Sequence, residues 1–161
     1  MKILKFLAAA FLCANSLSAQ EYVGGDISLL PKYEQNGAKY FDHDGRPVTD
    51  VVAFFKQQGL NSMRVRLFVN PENASATDKG QGVCQNLEFV KKLAKRIKTA
   101  GMSLILDFHY SDSWADPAKQ WTPKDWEQLN DGELYTEIYK YTADVLKELV
   151  EIGATPDFIQ T

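Results

Sequence analysis

The sequence predicts an α/β fold built on a parallel sheet. Strand-like and helix-like segments alternate along its 161 residues, and that alternation implies parallel pairing through right-handed crossovers. Polar side chains collect at or just after the C-terminal ends of three successive strands: Asp26, then Arg64 with Arg66, then Asp107 with His109. No glycine-rich phosphate loop follows the first strand, because Gly24-Gly25 falls before or inside it and fails the dinucleotide fingerprint. The last two observations favour a (β/α)8 barrel over an open doubly wound sheet, since barrels keep their chemistry at the C-terminal strand ends. A complete barrel takes roughly 250 residues. The expectation is therefore the N-terminal half of a barrel, parallel strands one to about four, with open edges that call for partners.

The elements are read in order. Met1–Lys5 is basic, Phe6–Leu12 is apolar, and Ser16-Leu-Ser-Ala19 offers small residues for cleavage. Residues 1–19 read as a secretory signal too short to span a membrane, which implies a secreted or periplasmic product. Leu12 before Cys13 is larger than lipoprotein signals usually carry, so a lipid anchor is disfavoured. Residues 20–161 then form the partial barrel domain, truncated at strand four. Tyr22–Ser28 is the first strand, Asp42–Pro47 a turn, and Thr49 a cap for a helix over Val51–Gln58 that Gly59 stops. Asn61–Val69 alternates, with Met63, Val65 and Leu67 on one face and Arg64, Arg66 and Phe68 on the other.

The next helix is capped by Asn86, carries Val90, Leu93, Ala94 and Ile97 at helical spacing, and ends at Gly101. Its Lys91–Lys98 run reads as a solvated outer face. Ser103–Phe108 is the third strand. Thr122-Pro123 begins a short helix through Trp126. Glu133–Glu151 is a long helix with Leu134, Ile138, Tyr141, Val145 and Leu149 as its stripe, and Asp157–Gln160 starts a fourth strand.

The net charge is −3, and losing Lys2 and Lys5 with the leader makes the chain more acidic, so nucleic acid is not an expected partner. Cys84 is then the lone cysteine and forms no internal disulfide. It reads as a packed, small apolar side chain. Asn73-Ala-Ser75 is a formal glycosylation sequon. Glu34, near a turn, has no evident role. His43 lies in a turn and His109 lacks a second imidazole, so neither a metal site nor a cofactor is expected.

The segment Leu104–Pro117 carries most of the chemistry. Asp107 and His109 point the same way at the strand's end, and the loop beyond adds Asp112, Trp114 and Asp116. Carboxylates accept sugar hydroxyls and a flat ring takes the apolar face of a sugar, so Trp114 reads as an exposed stacking platform. Asp112 and Asp116 also fit as turn residues holding the loop. Arg64 and Arg66 face inward from a covered sheet and need acidic partners, which they would hold by bidentate hydrogen bonds. Asp26 can accept sugar hydroxyls or pair with an arginine. A retaining glycosidase needs two carboxyls about 5–5.5 Å apart, and nothing in the spacing of Asp107, Asp112 and Asp116 selects a pair.

Three motifs give the chain a family resemblance. Gly24-Gly-Asp-Ile-Ser28 resembles the opening G-A-D-x-S of arabinogalactan endo-β-1,4-galactanases, glycoside hydrolase family 53. Gly59–Pro71 is similar to that family's second strand, with Phe68 where Trp is usual. Leu106–Pro117 is close to its signature, with Ser113 where Thr is frequent, and Gln120, Pro123 and Trp126 also fall in pattern. The resemblance runs from about Tyr22 to Thr161. It implies a barrel of the large retaining clan that cleaves β-1,4-galactan in pectin side chains, and a monomeric intact enzyme with galactan as its partner. It also implies that the acid/base glutamate follows Asp157–Thr161 directly and that the nucleophile lies far beyond. No residue present inherits either role, and the chain itself is expected to be inactive. By position Arg64 resembles the arginine that steadies the nucleophile, and His109 the third-strand histidine beside the cleaved bond. Asp26, Arg66, Asp107, Asp112, Trp114 and Asp116 match motif positions. Two alternatives stay open: another polysaccharide hydrolase of the clan acting on mannan or cellulose, and a non-catalytic sugar-binding half-barrel. Against the latter, Arg64 and Arg66 read as waiting for carboxylates the chain lacks.

Overall fold

The computed structural model describes residues 21–161. The expected leader over 1–19, with Cys13, lies outside the described residues. In chain order the elements are β1 (Gly24–Asp26), α1 (Leu30–Gln35), β2 (Tyr40–Phe41), β3 (Pro47–Val48), α2 (Val51–Gln57) and β4 (Ser62–Leu67). They continue with α3 (Ala76–Gly80), α4 (Leu87–Thr99), β5 (Ser103–Phe108), α5 (Asp131–Glu151) and β6 (Phe158–Gln160). Strands β1, β4, β5 and β6 form one parallel sheet in that order, and β2 pairs antiparallel with β3. The sheet order follows the chain without reversal. A doubly wound sheet reverses at its switch point, whereas a barrel wall adds each strand beside the last.

Two-residue alternation decides which face is dry. Met63, Val65 and Leu67 of β4 and Leu104, Leu106 and Phe108 of β5 are all buried on the face that meets the helices. Against them pack Val90, Leu93, Ala94 and Ile97 of α4, Val145 and Leu149 of α5, and Val51 and Val52 of α2. Each of these side chains larger than alanine contributes about 1.5–3 kcal/mol by leaving water. The opposite face keeps Arg64, Arg66 and Asp107, so alternation separates the core from the polar layer.

The helix starts are set by side-chain caps. Asp50 Oδ1 accepts from the N–H groups of Val52 and Ala53, at 3.1 and 3.2 Å. Asp50, not Thr49, therefore caps α2, because its carboxylate reaches two orphan donors at once. Asn86 caps α4 through the Phe89 N–H at 2.9 Å. Asn130 and Glu133 form a reciprocal capping box, which starts α5 at Asp131 rather than Glu133. Pro123 precedes only a single 3-10 turn, Lys124–Trp126.

The basic run on α4 is not simply solvated. Arg96 makes a bidentate pair with Glu34 of α1 at 2.7 and 2.9 Å. Lys91 bonds Glu148 of α5 at 2.8 Å, and Lys98 bonds Asp157 at 2.7 Å. The outer face of α4 thus reaches both neighbouring helices and the start of β6. Asp157 also accepts from the Leu104 N–H at 2.7 Å, which fixes the register of β6 beside β5. Burial pulls the Asp157 carboxyl up, but Lys98 and the Leu104 amide outweigh it and hold the group below the ordinary carboxylate value.

The β1–β4 contact is close because Gly24 has no side chain. A Cβ on Gly24 would lie 1.6 Å from the Ser62 carbonyl oxygen. Gly24→Ala is therefore expected to unseat β1 and cost roughly 2 kcal/mol or more. The buried Ser62 hydroxyl has no hydrogen-bond partner among the described residues. Ser62→Ala is expected to be neutral or stabilising, since an unsatisfied buried hydroxyl costs about 1–3 kcal/mol. Urea unfolding of both variants checks the pair; a tolerated Gly24→Ala or a clearly destabilising Ser62→Ala contradicts this packing.

Candidate active site

At the C-terminal ends of the strands one guanidinium gathers the polar layer. Arg64 on β4 is in register with Asp26 on β1, and Arg66 with Asp107 on β5, which is in turn in register with Gln160 on β6. Arg64 Nη1 donates to Asp26 Oδ2 at 2.6 Å, Nε donates to Gln160 Oε1 at 2.9 Å, and Nη2 donates to Asp107 Oδ2. One side chain therefore bonds to all three of the other strands in the sheet. Arg66 Nη2 adds a bond to Asp26 Oδ1 at 3.1 Å, and both its backbone N–H and its Nε reach Ser28 Oγ. The two arginines are paired within this chain, which corrects the expectation that they wait for carboxylates it lacks. Alternation alone shows which face they share, not which acids sit across the register from them.

Burial pulls the Asp26 pKa up. The Ser28 N–H at 3.0 Å, the Ser28 hydroxyl and the Arg66 and Arg64 guanidinium groups more than offset that, so the carboxyl sits below the ordinary value. His109 follows β5. Its Nε2 lies 3.2 Å from Asp107 Oδ2, and its Nδ1 accepts from the Ala115 N–H at 3.4 Å. With Nδ1 accepting, the Nε2 position carries the proton on the side of the ring that faces Asp107. Its ring packs 4.8 Å from that of Phe68. Tyr110, the next residue, has φ of +33°, a strained conformation for a non-glycine residue. It is held by stacking on Phe108 at 5.2 Å and by a hydroxyl contact with Thr142 at 2.8 Å. The turn there carries the chain out of the strand while keeping His109 over Asp107.

The loop beyond separates the remaining expected residues. Asp112 is buried and accepts from the Asn70 N–H at 3.0 Å, from Asn73 Nδ2 at 2.9 Å and from the Lys124 N–H at 2.9 Å. It braces the loops after β4 and β5 against each other. Asp116 is exposed and accepts from the Ala118 N–H at 2.8 Å within its own turn. Trp114 is half-buried rather than exposed: the Arg66 guanidinium lies 4.8 Å from its ring centre and the Phe68 ring meets it edge-on. Trp126 is buried against Tyr141, and Trp121 stands exposed.

A cleft of about 460 Å3 opens beside the network. Arg64, Asp107, His109, Asp116, Trp121 and Gln160 are among the residues that line it. Gln160 and Ser28 do not stand out by residue type, and Trp121 reads from the sequence as a residue that could equally pin the loop. Ser28 lies within the first family motif, and Gln160 shows only through its register with Asp107. A second hollow of about 610 Å3 lies against the β2–β3 hairpin. It is lined by Tyr40, Phe41 and the Arg96–Glu34 pair, whose charges are already matched. Among the described residues no group of three or more His, Cys, Asp or Glu is placed to hold a metal ion. Cys84 is a free thiol whose pKa is pushed up by burial, which disfavours the nucleophilic thiolate.

Replacing Arg64 leaves Asp26 and Asp107 facing each other without their shared cation. Breaking a buried pair costs about 3–5 kcal/mol, and the partial exposure of Arg64 brings the expectation for Arg64→Met down to about 2 kcal/mol. The Asp26 pKa is depressed on folding. Its contribution is present above its unfolded pKa, near 3.9, and is lost as the pH falls through the lower folded value. Urea unfolding at neutral and acid pH should therefore show the gap between parent and Arg64→Met narrowing in acid. A gap that does not change with pH contradicts the pairing.

Known proteins resemble this chain in sequence and fold. The family described as glycosyl hydrolase family 53 matches residues 22–161. The arabinogalactan endo-beta-1,4-galactanase of Cellvibrio japonicus is 40% identical over 140 residues, covering 86% of this chain and 35% of its own length. A probable arabinogalactan endo-beta-1,4-galactanase A of Neosartorya fischeri is 42% identical over 145 residues, covering 88% of this chain and 37% of its own length. The solved GH53 catalytic domain of Ignisphaera aggregans matches with a TM-score of 0.79 at 32% identity, covering 90% of this chain and 40% of that one. The chain thus spans well under half the length of the relatives it matches, and its four parallel strands are part of a (β/α)8 barrel. The chain belongs to glycosyl hydrolase family 53.

Proposed function

We propose that this protein is part of an exported endo-hydrolase of β-1,4-galactosidic bonds in the (arabino)galactan side chains of pectin. The observation that carries the proposal is the Arg64–Asp26–Asp107–His109 network, set at the C-terminal strand ends and opening on a cleft. Barrel enzymes place substrate there. The names of the similar galactanases supply the substrate, and the leader over residues 1–19 supplies export to the periplasm or medium.

In this reading the intact enzyme is a monomer that works by double displacement through a glycosyl-enzyme intermediate, with one glutamate as acid/base and another as nucleophile. Both glutamates lie outside these 161 residues. Among the described residues no glutamate lines the cleft, and Asp26 and Asp107 are both already bonded to Arg64. Arg64 spends three of its donors on Asp26, Asp107 and Gln160. A guanidinium has five N–H groups, so two remain for an incoming carboxylate. His109, held by the Ala115 amide and packed on Phe68 beside Asp107, presents a ring edge to the sugar next to the cleaved bond. The residues present are thus positioning and binding groups for chemistry supplied from the later strands.

The test compares this chain with a version extended along its reading frame, on β-1,4-galactan, β-mannan and cellulose. The extended protein is expected to release oligosaccharides from galactan alone, and the 161-residue chain to release none. Hydrolysis by the short chain refutes the division of roles. A preference of the extended protein for mannan or cellulose refutes the substrate.

A further inference from the structure

We propose that Trp121 is a stacking platform for a galactopyranosyl unit bound along the cleft away from the point of cleavage, a reading that rests on the galactan assignment above. Trp121 is 65% exposed, yet it lines the same cleft as Arg64, His109 and Asp116. An indole left in water forfeits a large hydrophobic gain unless a ligand covers it. Trp114 differs in that the Arg66 guanidinium lies over its ring. Among the described residues no cation or aromatic ring lies over Trp121 in the same way.

The segment carrying Trp121 follows a closed turn and precedes two buried anchors. Before it, Asp116 and Lys119 bond each other's backbones, at 2.9 Å from the Lys119 N–H and 3.3 Å from the Asp116 N–H. After it, the Lys124 N–H bonds the buried Asp112 carboxylate at 2.9 Å, and Trp126 is buried with its ring 5.6 Å from that of Tyr141. The indole is therefore presented by anchored backbone, which lowers the ordering cost of stacking a ligand on it.

The chemistry selects the ligand class. A β-galactopyranosyl ring, with its O4 axial, gathers the hydrogens of C3, C4 and C5 into one apolar patch that suits a flat indole. A ring with an equatorial 4-hydroxyl lacks that continuous patch. The exposed Asp116 carboxylate in the same lining is an acceptor for the hydroxyls at the rim.

Titration calorimetry of the protein with β-1,4-galactotetraose and with cellotetraose tests the platform, using the parent, Trp121→Ala and Trp121→Phe. The exposed position should leave the fold unchanged in both variants, which circular dichroism verifies. Trp121→Ala is expected to weaken galactotetraose binding by about tenfold or more, and Trp121→Phe to keep most of it. Equal binding by parent and Trp121→Ala overturns the platform and leaves the galactan assignment standing. Binding of cellotetraose in preference to galactotetraose overturns both. A parent that binds neither sugar at millimolar concentration overturns the platform, while the assignment is still decided by hydrolysis in the extended protein.

Discussion

The guanidinium of Arg64 is the point on which this structure turns. It sits on β4 and bonds Asp26 on β1, Asp107 on β5 and Gln160 on β6. Backbone pairing sets the strands side by side, but it does not aim their side chains. A planar cation with fixed donor directions does. Once Arg64 is seated, Asp107 is fixed, His109 lies beside it with its Nδ1 held by the Ala115 amide, and the face of Trp114 is met by the arginine that shares Asp26. The cleft owes its shape to a charge cluster rather than to the hydrophobic core, which lies on the other side of the sheet.

That division explains what could be read from residues in a row. The core was legible because its period is local: Met63, Val65 and Leu67 alternate, and Val90, Leu93, Ala94 and Ile97 repeat at helical spacing. β5 falls on the expected bounds because an apolar stretch is closed by Gly101 on one side and a polar burst on the other. The hairpin of β2 and β3 was visible only as its turn, since strands of two residues each carry no period. The site was half legible. Alternation put Arg64 and Arg66 on one face, and position marked Asp26, Asp107 and His109. Their partners depend on register between strands some forty residues apart, which residue type does not encode. The run Lys91–Lys98 misled for the same reason, because its acids, Glu34, Glu148 and Asp157, lie far away in sequence.

The loop after β5 divides between residues that brace it and residues that face the cleft. Asp112 and Trp126 face inward and brace, one by three hydrogen bonds from other segments and one by burial. Asp116 and Trp121 face the cleft between those anchors. A polar loop rich in aromatics does not announce which member takes which part. Trp114 is covered because Arg66 is long enough to reach its ring, whereas among the described residues no cation lies over Trp121, which stays exposed.

The most direct measurement of the Arg64 network is amide hydrogen exchange on the parent and on Arg64→Met, followed residue by residue. The backbone bonds from Ile27 N–H to the Arg64 carbonyl and from Asp157 N–H to the Leu104 carbonyl mark the two outer strand contacts. If one guanidinium ties the strand ends together, both amides lose protection together in the variant, while Val90 and Leu93 on α4 keep theirs. If both outer amides remain as protected as in the parent, the sheet ends are held by backbone pairing alone and the organising role assigned to Arg64 is wrong.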